Sequence, residues 1–189
     1  MNMFKILTDL KFINFKSDPC LFKKENVYIG LYVDDIFIVG SKVVCEQFIN
    51  DIQSIIKVRK YDNVFDFVGA QLIWNSDKTQ VIIHQSKLSL KLINKLKTEL
   101  DWIKVPITPG VPSLIISTPN KDERLIDDDS QTRYRSAVGS ILYLVKISRP
   151  DLSNISRELS KVMMKCTSFH YSLLLRALKY IEKTIFYGI

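Results

Sequence analysis

The chain has 189 residues, 47% apolar and 25% charged, with only 6 Gly and 6 Pro, which excludes disordered, collagen-like and low-complexity classes and leaves enough apolar material for a core. No apolar run reaches the roughly 18–20 residues of a membrane-spanning helix, because the best stretch, Val27 to Gly40, is split by two aspartates, so no membrane partner is expected. The net charge of +7 is uneven: residues 1–60 sum to +2, 61–130 to −2 and 131–189 to +7, a concentration that fits either a solvated face or a surface that meets phosphates.

In chain order, Phe4, Leu7, Leu10 and Lys11 keep a helical spacing that predicts a helix over 4–15, ended by the turn Ser17-Asp18-Pro19. Strands follow at Cys20–Phe22 and Val27–Val33, separated by the polar 23–26 turn, and Ile36–Val39 resumes the apolar pattern up to Gly40. With Asp34-Asp35 between them, the last two strands form a predicted hairpin. Ser41 is a plausible N-cap for a helix carrying Cys45, Phe48, Ile49, Ile52, Ile55 and Ile56. A second hairpin has arms Phe65–Trp74 and Thr79–His84 around the turn 75–78, and an amphipathic helix spans about 86–100. Residues 105–119 hold four of the six prolines, and 120–131 are mostly polar. That stretch reads as a linker between a mixed α/β part, 1–104, and an all-helical basic part, 132–189. Helices are predicted there at 134–147, at 151–164 behind Pro150, and at 169–186. The fold class is therefore α+β, with two antiparallel hairpins followed by helices.

The N-terminus carries no charged-then-apolar leader. Cys20, Cys45 and Cys166 stand 25 and 121 residues apart, which fits neither a disulfide framework nor a zinc knuckle. They read as reduced core thiols of an intracellular, cytoplasmic or nuclear protein.

Chemistry concentrates at Tyr32-Val33-Asp34-Asp35. Two-residue hairpin turns favour Asn-Gly or Asp-Gly, so Asp34-Asp35 breaks a local rule. A solvated pair of turn aspartates and a functional pair both fit the pattern. Adjacent carboxylates beside apolar arms repel each other, and a hard cation such as magnesium would relieve that repulsion. Asp127-Asp128-Asp129 reads as a solvated run in the linker, and His84 and His170 read as structural, with no Glu or Cys at ligand spacing.

The run Leu31-Tyr32-Val33-Asp34-Asp35-Ile36-Phe37-Ile38-Val39-Gly40 resembles the catalytic hairpin of reverse transcriptases, and its flanks are similar to the copia-type LTR retrotransposons. Those flanks are the run 15–22, Phe67-Val68-Gly69-Ala70-Gln71-Leu72, Gln85, the run 134–144, Arg149-Pro150-Asp151, His170 and the stretch 180–188. The resemblance implies the C-terminal part of a reverse-transcriptase palm over 1–104, a linker over 105–131, and a basic thumb- or connection-like region over 132–189. It implies RNA-directed DNA polymerase chemistry, with Asp34 and Asp35 as catalytic and metal-binding residues for Mg2+. It also implies an RNA/DNA primer-template held by Tyr32, Val33, Phe67, Val68, Gly69, Arg133, Arg135 and Arg149, and a deoxynucleoside triphosphate as substrate of the full-length polymerase. Two ions about 3.5–4 Å apart need more than one aspartate pair. The family's further aspartate and its nucleotide-gripping fingers are expected before residue 4, and its RNase H domain after Ile189. The isolated chain is therefore expected to be catalytically incomplete. A non-catalytic nucleic-acid-binding module and a decayed retrotransposon remnant stay open as alternatives.

Overall fold

In a computed structural model of the chain, residues 3–61, 66–77 and 79–189 are described. Phe65 and Lys78, which the sequence places at the start of the second hairpin and in its turn, lie outside the described residues. The architecture is α+β, with two antiparallel sheets and seven α-helices among the described residues. No described helix is long and apolar enough to cross a membrane. The chain divides into two compact units, one up to residue 64 in sequence and one from residue 65 onwards.

In the first unit, α1 (Met3–Asp9) is followed by four strands, β1 (Ile13–Asn14), β2 (Leu21–Lys24), β3 (Val27–Tyr32) and β4 (Asp35–Val39), and then by α2 (Lys42–Gln53). The strands form an antiparallel meander in the order β1-β2-β3-β4. Helix α1 stops six residues short of its predicted end. The Phe12 N–H reaches back to the Leu7 carbonyl at 2.9 Å, the Lys11 N–H reaches Thr8 at 2.9 Å, and Lys11 takes a left-handed φ of 66° between them. These two bonds satisfy carbonyls that would otherwise be left open at the helix end, in the Schellman pattern that usually recruits glycine. Leu7 and Phe12, the pair such a motif brings together, are both buried. Strand β2 runs through Lys23 and Lys24, so the turn there contracts to Glu25 and Asn26, with Glu25 at φ 50°. Along β3, Val27 and Ile29 are buried while Tyr28 and Tyr32 are exposed, the alternation of a sheet with one packed face. The packed face meets Ile6, Leu7, Phe48 and Ile52 from the two helices. Ser41 does occupy the N-cap position of α2, with extended backbone but no side-chain capping bond.

In the second unit, β5 (Asp66–Phe67), β6 (Ala70–Trp74) and β7 (Val81–His84) form a three-stranded antiparallel sheet. Its helices are α3 (Ser86–Lys95), α4 (Lys97–Leu100), α5 (Asp128–Ile147), α6 (Ser153–Ser160) and α7 (Ser168–Lys183), with a 3-10 turn at Pro150–Leu152 before α6. The helix predicted over 86–100 is broken at Leu96, whose φ of −124° lies outside the helical range, and Leu96 is buried. The run Asp127–Asp129 is not loop. Asp127 is the N-cap of α5, accepting the Ser130 N–H at 2.8 Å, and Asp128 and Asp129 occupy its first turn. Those positions suit negative charge, since the free amides of a helix start carry partial positive charge. The bonds from Ser130 hold the Asp127 carboxyl below the usual carboxylate range. Buried leucines of α3, α5, α6 and α7 make one core with Tyr134, Val138 and Ile141. The 105–131 stretch belongs to this unit: Ile116 is buried in the core and its N–H is accepted by Glu158 at 2.8 Å.

Candidate functional site

Strand pairing sets the geometry of the Tyr32–Asp35 hairpin. Tyr32 pairs with Asp35, Leu31 with Ile36 and Ile29 with Ile38, so the two turn residues are Val33 and Asp34, not Asp34 and Asp35. Asp34 stands at the tip, and Asp35 begins β4 opposite Tyr32. All four residues are exposed. Val33 is 87% exposed and holds φ at 54°. A β-branched residue in the left-handed region costs about 1–2 kcal/mol, and no buried contact of Val33 offsets that cost. Backbone strain of this kind, retained at an exposed tip, is a feature of sites selected for function. Replacing Val33 by glycine is therefore expected to stabilise the chain by about 0.5–1 kcal/mol, the relieved strain less the added chain entropy. The measurement is the urea midpoint, and an unchanged or lower midpoint would contradict the strain.

Among the described residues, no three His, Cys, Asp or Glu side chains gather into a group that could hold a metal ion. Successive residues of a ribbon project to opposite sides, and Asp34 and Asp35 differ further in that one lies in the turn and the other in a paired strand. The donors present therefore do not by themselves fit a pair of magnesium ions, which needs carboxylates converging from separate elements.

The Phe67–Gly69 run forms a second strained turn. Phe67 pairs with Ala70, leaving Val68 at φ 51° and Gly69 at φ 72° as the turn residues. Positive φ at both positions is the requirement of a tight hairpin turn, and glycine meets it at the second. The predicted first arm is thus two strands, because the turn interrupts it. The Tyr143 hydroxyl of α5 donates to the Val68 carbonyl at 2.8 Å, and a Cβ on Gly69 would stand 3.7 Å from the Tyr143 ring. Lys87 and Asp66 add an exposed ion pair at 2.7 Å.

The basic residues are more dispersed than their number suggests. Arg133 lies 3.6 Å from Glu99 and donates to Ser130 Oγ at 3.0 Å, while Arg135 is exposed and donates to Thr132 Oγ1 at 3.2 Å. Arg149 requires a correction, because it is only 1% exposed and its guanidinium is fully engaged. It donates to both Asp151 oxygens at 2.9 and 2.8 Å, to the Thr184 carbonyl at 3.0 Å and to Thr184 Oγ1 at 2.7 Å. The Tyr180 and Tyr187 rings lie 5.7 and 5.5 Å from it. Arg149 is a buried clamp joining the 3-10 turn to the end of α7, with no face left for a phosphate. Sequence reasoning missed Asp151 and Thr184 as its partners. The one available signal was the Arg-Pro-Asp spacing, which lets a guanidinium fold back onto a carboxylate across the first turn. Lys179 is paired with Glu182 at 2.7 Å, and Arg157 and Lys161 flank the buried Glu158 at 3.2 and 2.7 Å. Hydrogen bonding from Lys161, with that of the Ile116 amide, holds the Glu158 carboxyl below its usual range. Lys146, Lys165 and Lys183 are exposed.

Both histidines serve the fold. His84 is buried with its ring against Phe186 at 6.3 Å. His170 closes the start of α7, its Nδ1 accepting the Thr167 N–H at 3.2 Å, and burial pushes its pKa below 6.5.

Similarity to known proteins decides the lineage. The chain is 30% identical to the retrovirus-related Pol polyprotein of transposon RE1 from Arabidopsis thaliana over 188 residues, covering 97% of this chain and 12% of that protein. It is 29% identical to the corresponding polyprotein of transposon RE2 from the same plant, with the same coverage of both chains. The chain is related by descent to retrotransposon Pol polyproteins. An uncharacterized mitochondrial protein of Arabidopsis thaliana is 27% identical over 164 residues, 86% of this chain and 64% of that protein. No family model and no solved structure matches. This Pol-related chain spans about an eighth of the length of the transposon polyproteins it matches, and its colinear likeness to them bears out the family resemblance carried by its motifs.

Proposed function

We propose that the chain is a segment of the RNA-directed DNA polymerase of a copia-type retrotransposon: the C-terminal part of a palm over 1–104, with a basic thumb- or connection-like region over 132–189. The observation that carries this reading is the exposed hairpin tip, where Val33 is held in a strained conformation beside Asp34 and Asp35. A solvated decorative turn has no reason to keep a β-branched residue at positive φ, whereas a tip that must present one carboxylate at a fixed angle does. Magnesium, when bound, would activate the primer 3′-hydroxyl and neutralise the triphosphate, and the residues to hold it here are Asp34 and Asp35 together with a carboxylate from outside the chain. The chain's own contribution is to present those carboxylates and to hold the primer-template through phosphate contacts.

Binding to a primer-template tests this reading. With Arg149 removed from the phosphate-facing set, Arg133, Arg135, Lys146, Arg157, Lys161, Lys165 and Lys183 remain as exposed cations of the basic third. Affinity is expected to fall with salt at about 0.9 in log–log slope for each neutralised phosphate, with little sequence preference. Fluorescence anisotropy between 50 and 200 mM salt reads the slope, and a flat affinity, or none at low salt, would count against nucleic acid as the partner.

A further inference from the structure

We propose that a groove in the first unit, between the end of α1 and the β1–β2 hairpin, seats single-stranded nucleic acid, with a base on its apolar floor and the backbone along its lysines. The inference rests on the nucleic-acid reading above and adds to it a site of which the family-like runs contain only Phe15. The groove has a volume of about 470 Å³. Its floor includes Ile13, 75% exposed, and Phe15, 37% exposed, an aliphatic and an aromatic side chain left to water beside a two-residue strand.

Lys11 and Lys23 bring two lysines to this groove against the single carboxylate of Glu25, while Lys24, next to Lys23 on β2, projects to the opposite face of the strand. Lys23 is held before any ligand arrives. Lys23 Nζ lies 5.2 Å from the centre of the Tyr28 ring, and Lys24 Nζ lies 5.6 Å from that of Phe12 while donating to the Leu10 carbonyl at 3.0 Å. A lysine already fixed over an aromatic face loses less freedom when it meets an anion. Lys11 reaches the groove from the left-handed position that ends α1, where glycine is the usual choice.

Charge complementarity selects an anionic occupant, and the apolar floor selects among anions. A single strand offers flat faces that stack on an aromatic ring together with phosphates for the lysines. A duplex hides its base faces, and an acidic peptide supplies charge without a flat apolar surface.

The experiment uses the whole 189-residue chain, a fluorescein-labelled uridine or thymidine 12-mer and a blunt duplex of equal length, titrated at 50 and 200 mM salt. The exposed pair Lys11→Gln with Lys23→Gln is expected to lower the single-strand salt slope by about 1.4, which is about sevenfold less affinity lost across that range than in the wild type. Phe15→Ala is expected to weaken single-strand binding at least about fivefold while leaving the slope and the duplex affinity unchanged. Arg135→Gln with Lys146→Gln, on the helical unit, serves as comparison. Wild-type single-strand binding in both groove variants, with loss only in the helical variant, overturns the groove and leaves the broader reading standing. Loss of polyglutamate binding in the groove variants, with the oligonucleotide unaffected, overturns it in favour of an acidic peptide. Absence of any nucleic-acid binding by the wild type overturns both readings.

Discussion

Arg149→Met is expected to destabilise the second unit by about 2–3 kcal/mol, because the substitution takes hydrogen bonds from the buried Thr184 and the counter-charge from a part-exposed carboxylate. Arg149 is 1% exposed, and four hydrogen bonds of 2.7–3.0 Å tie it to Asp151 and Thr184. Without it, the Thr184 carbonyl and hydroxyl lose their partner inside the protein, while the Asp151 carboxylate, 31% exposed, loses its counter-charge but keeps access to water. For a unit of this size the melting midpoint should fall by about 6–12 °C. Arg149→Lys should recover little, since a single ammonium cannot reproduce a planar fork that meets a carboxylate twice and a threonine twice. Lys146→Met, nearby and exposed, should stay within about 0.5 kcal/mol. An Arg149→Met chain melting within a few degrees of the wild type would mean that the clamp contributes nothing.

The same clamp sets a pH dependence. Burial pushes the Asp151 carboxyl up, but its hydrogen bonds from Arg149 and the guanidinium charge outweigh burial and hold it below the usual carboxylate range. A carboxyl lowered in the folded state contributes stability that is present above its unfolded pKa of about 3.9 and is lost as pH falls through the folded value. Wild type and Arg149→Met should therefore differ most at neutral pH, and the difference should narrow in acid below about pH 4 while the Thr184 bonds keep the rest.

The residues that misled the sequence reading did so for physical reasons. In the hairpin at Val33, centring the turn on Val33-Asp34 or on Asp34-Asp35 shifts the pairing by two positions. Either register leaves Ile29, Leu31, Ile36 and Ile38 on the packed face, so alternation cannot choose between them. The turn chemistry that normally decides pointed away from a valine at positive φ. The same preference hid the break at Val68, although Gly69 inside an apolar run was a readable sign of a turn. The start of α5 was legible in principle, since Asp127 followed by two acidic residues is an N-cap and first-turn pattern, but the surrounding polar sequence suggested linker. Arg149 shows the limit of counting charge. Composition placed it among the phosphate binders, and only its contacts with residues 2 and 35 positions away reveal a clamp. The apolar periodicities of α5 and α7 were read correctly because each buries one continuous stripe, whereas α2 ends at Gln53, before the Ile55 and Ile56 it was expected to carry.

Primer extension by the 189-residue chain with magnesium or manganese is expected to be nil, and Asp34→Asn is expected to leave its stability within about 0.5 kcal/mol of the wild type. Asp34 is exposed at the hairpin tip, so amidation costs the fold nothing. The chain also gathers no third carboxylate beside its two aspartates among the described residues. On the proposed polymerase reading, a longer protein that supplies a further aspartate and a nucleotide-gripping region should extend primers. In that longer protein Asp34→Asn should reduce extension by at least about 10³-fold, the scale on which aimed charge at a reacting centre acts. Asp35→Asn should cost less. Asp34 occupies the free tip, where reacting groups can approach it from several sides, whereas Asp35 is fixed in β4 opposite Tyr32. Two results would sink the assignment: robust extension by the 189-residue chain that disappears in Asp34→Asn, which would make its site complete as it stands, or extension by the longer protein that survives Asp34→Asn, which would remove the hairpin from the chemistry.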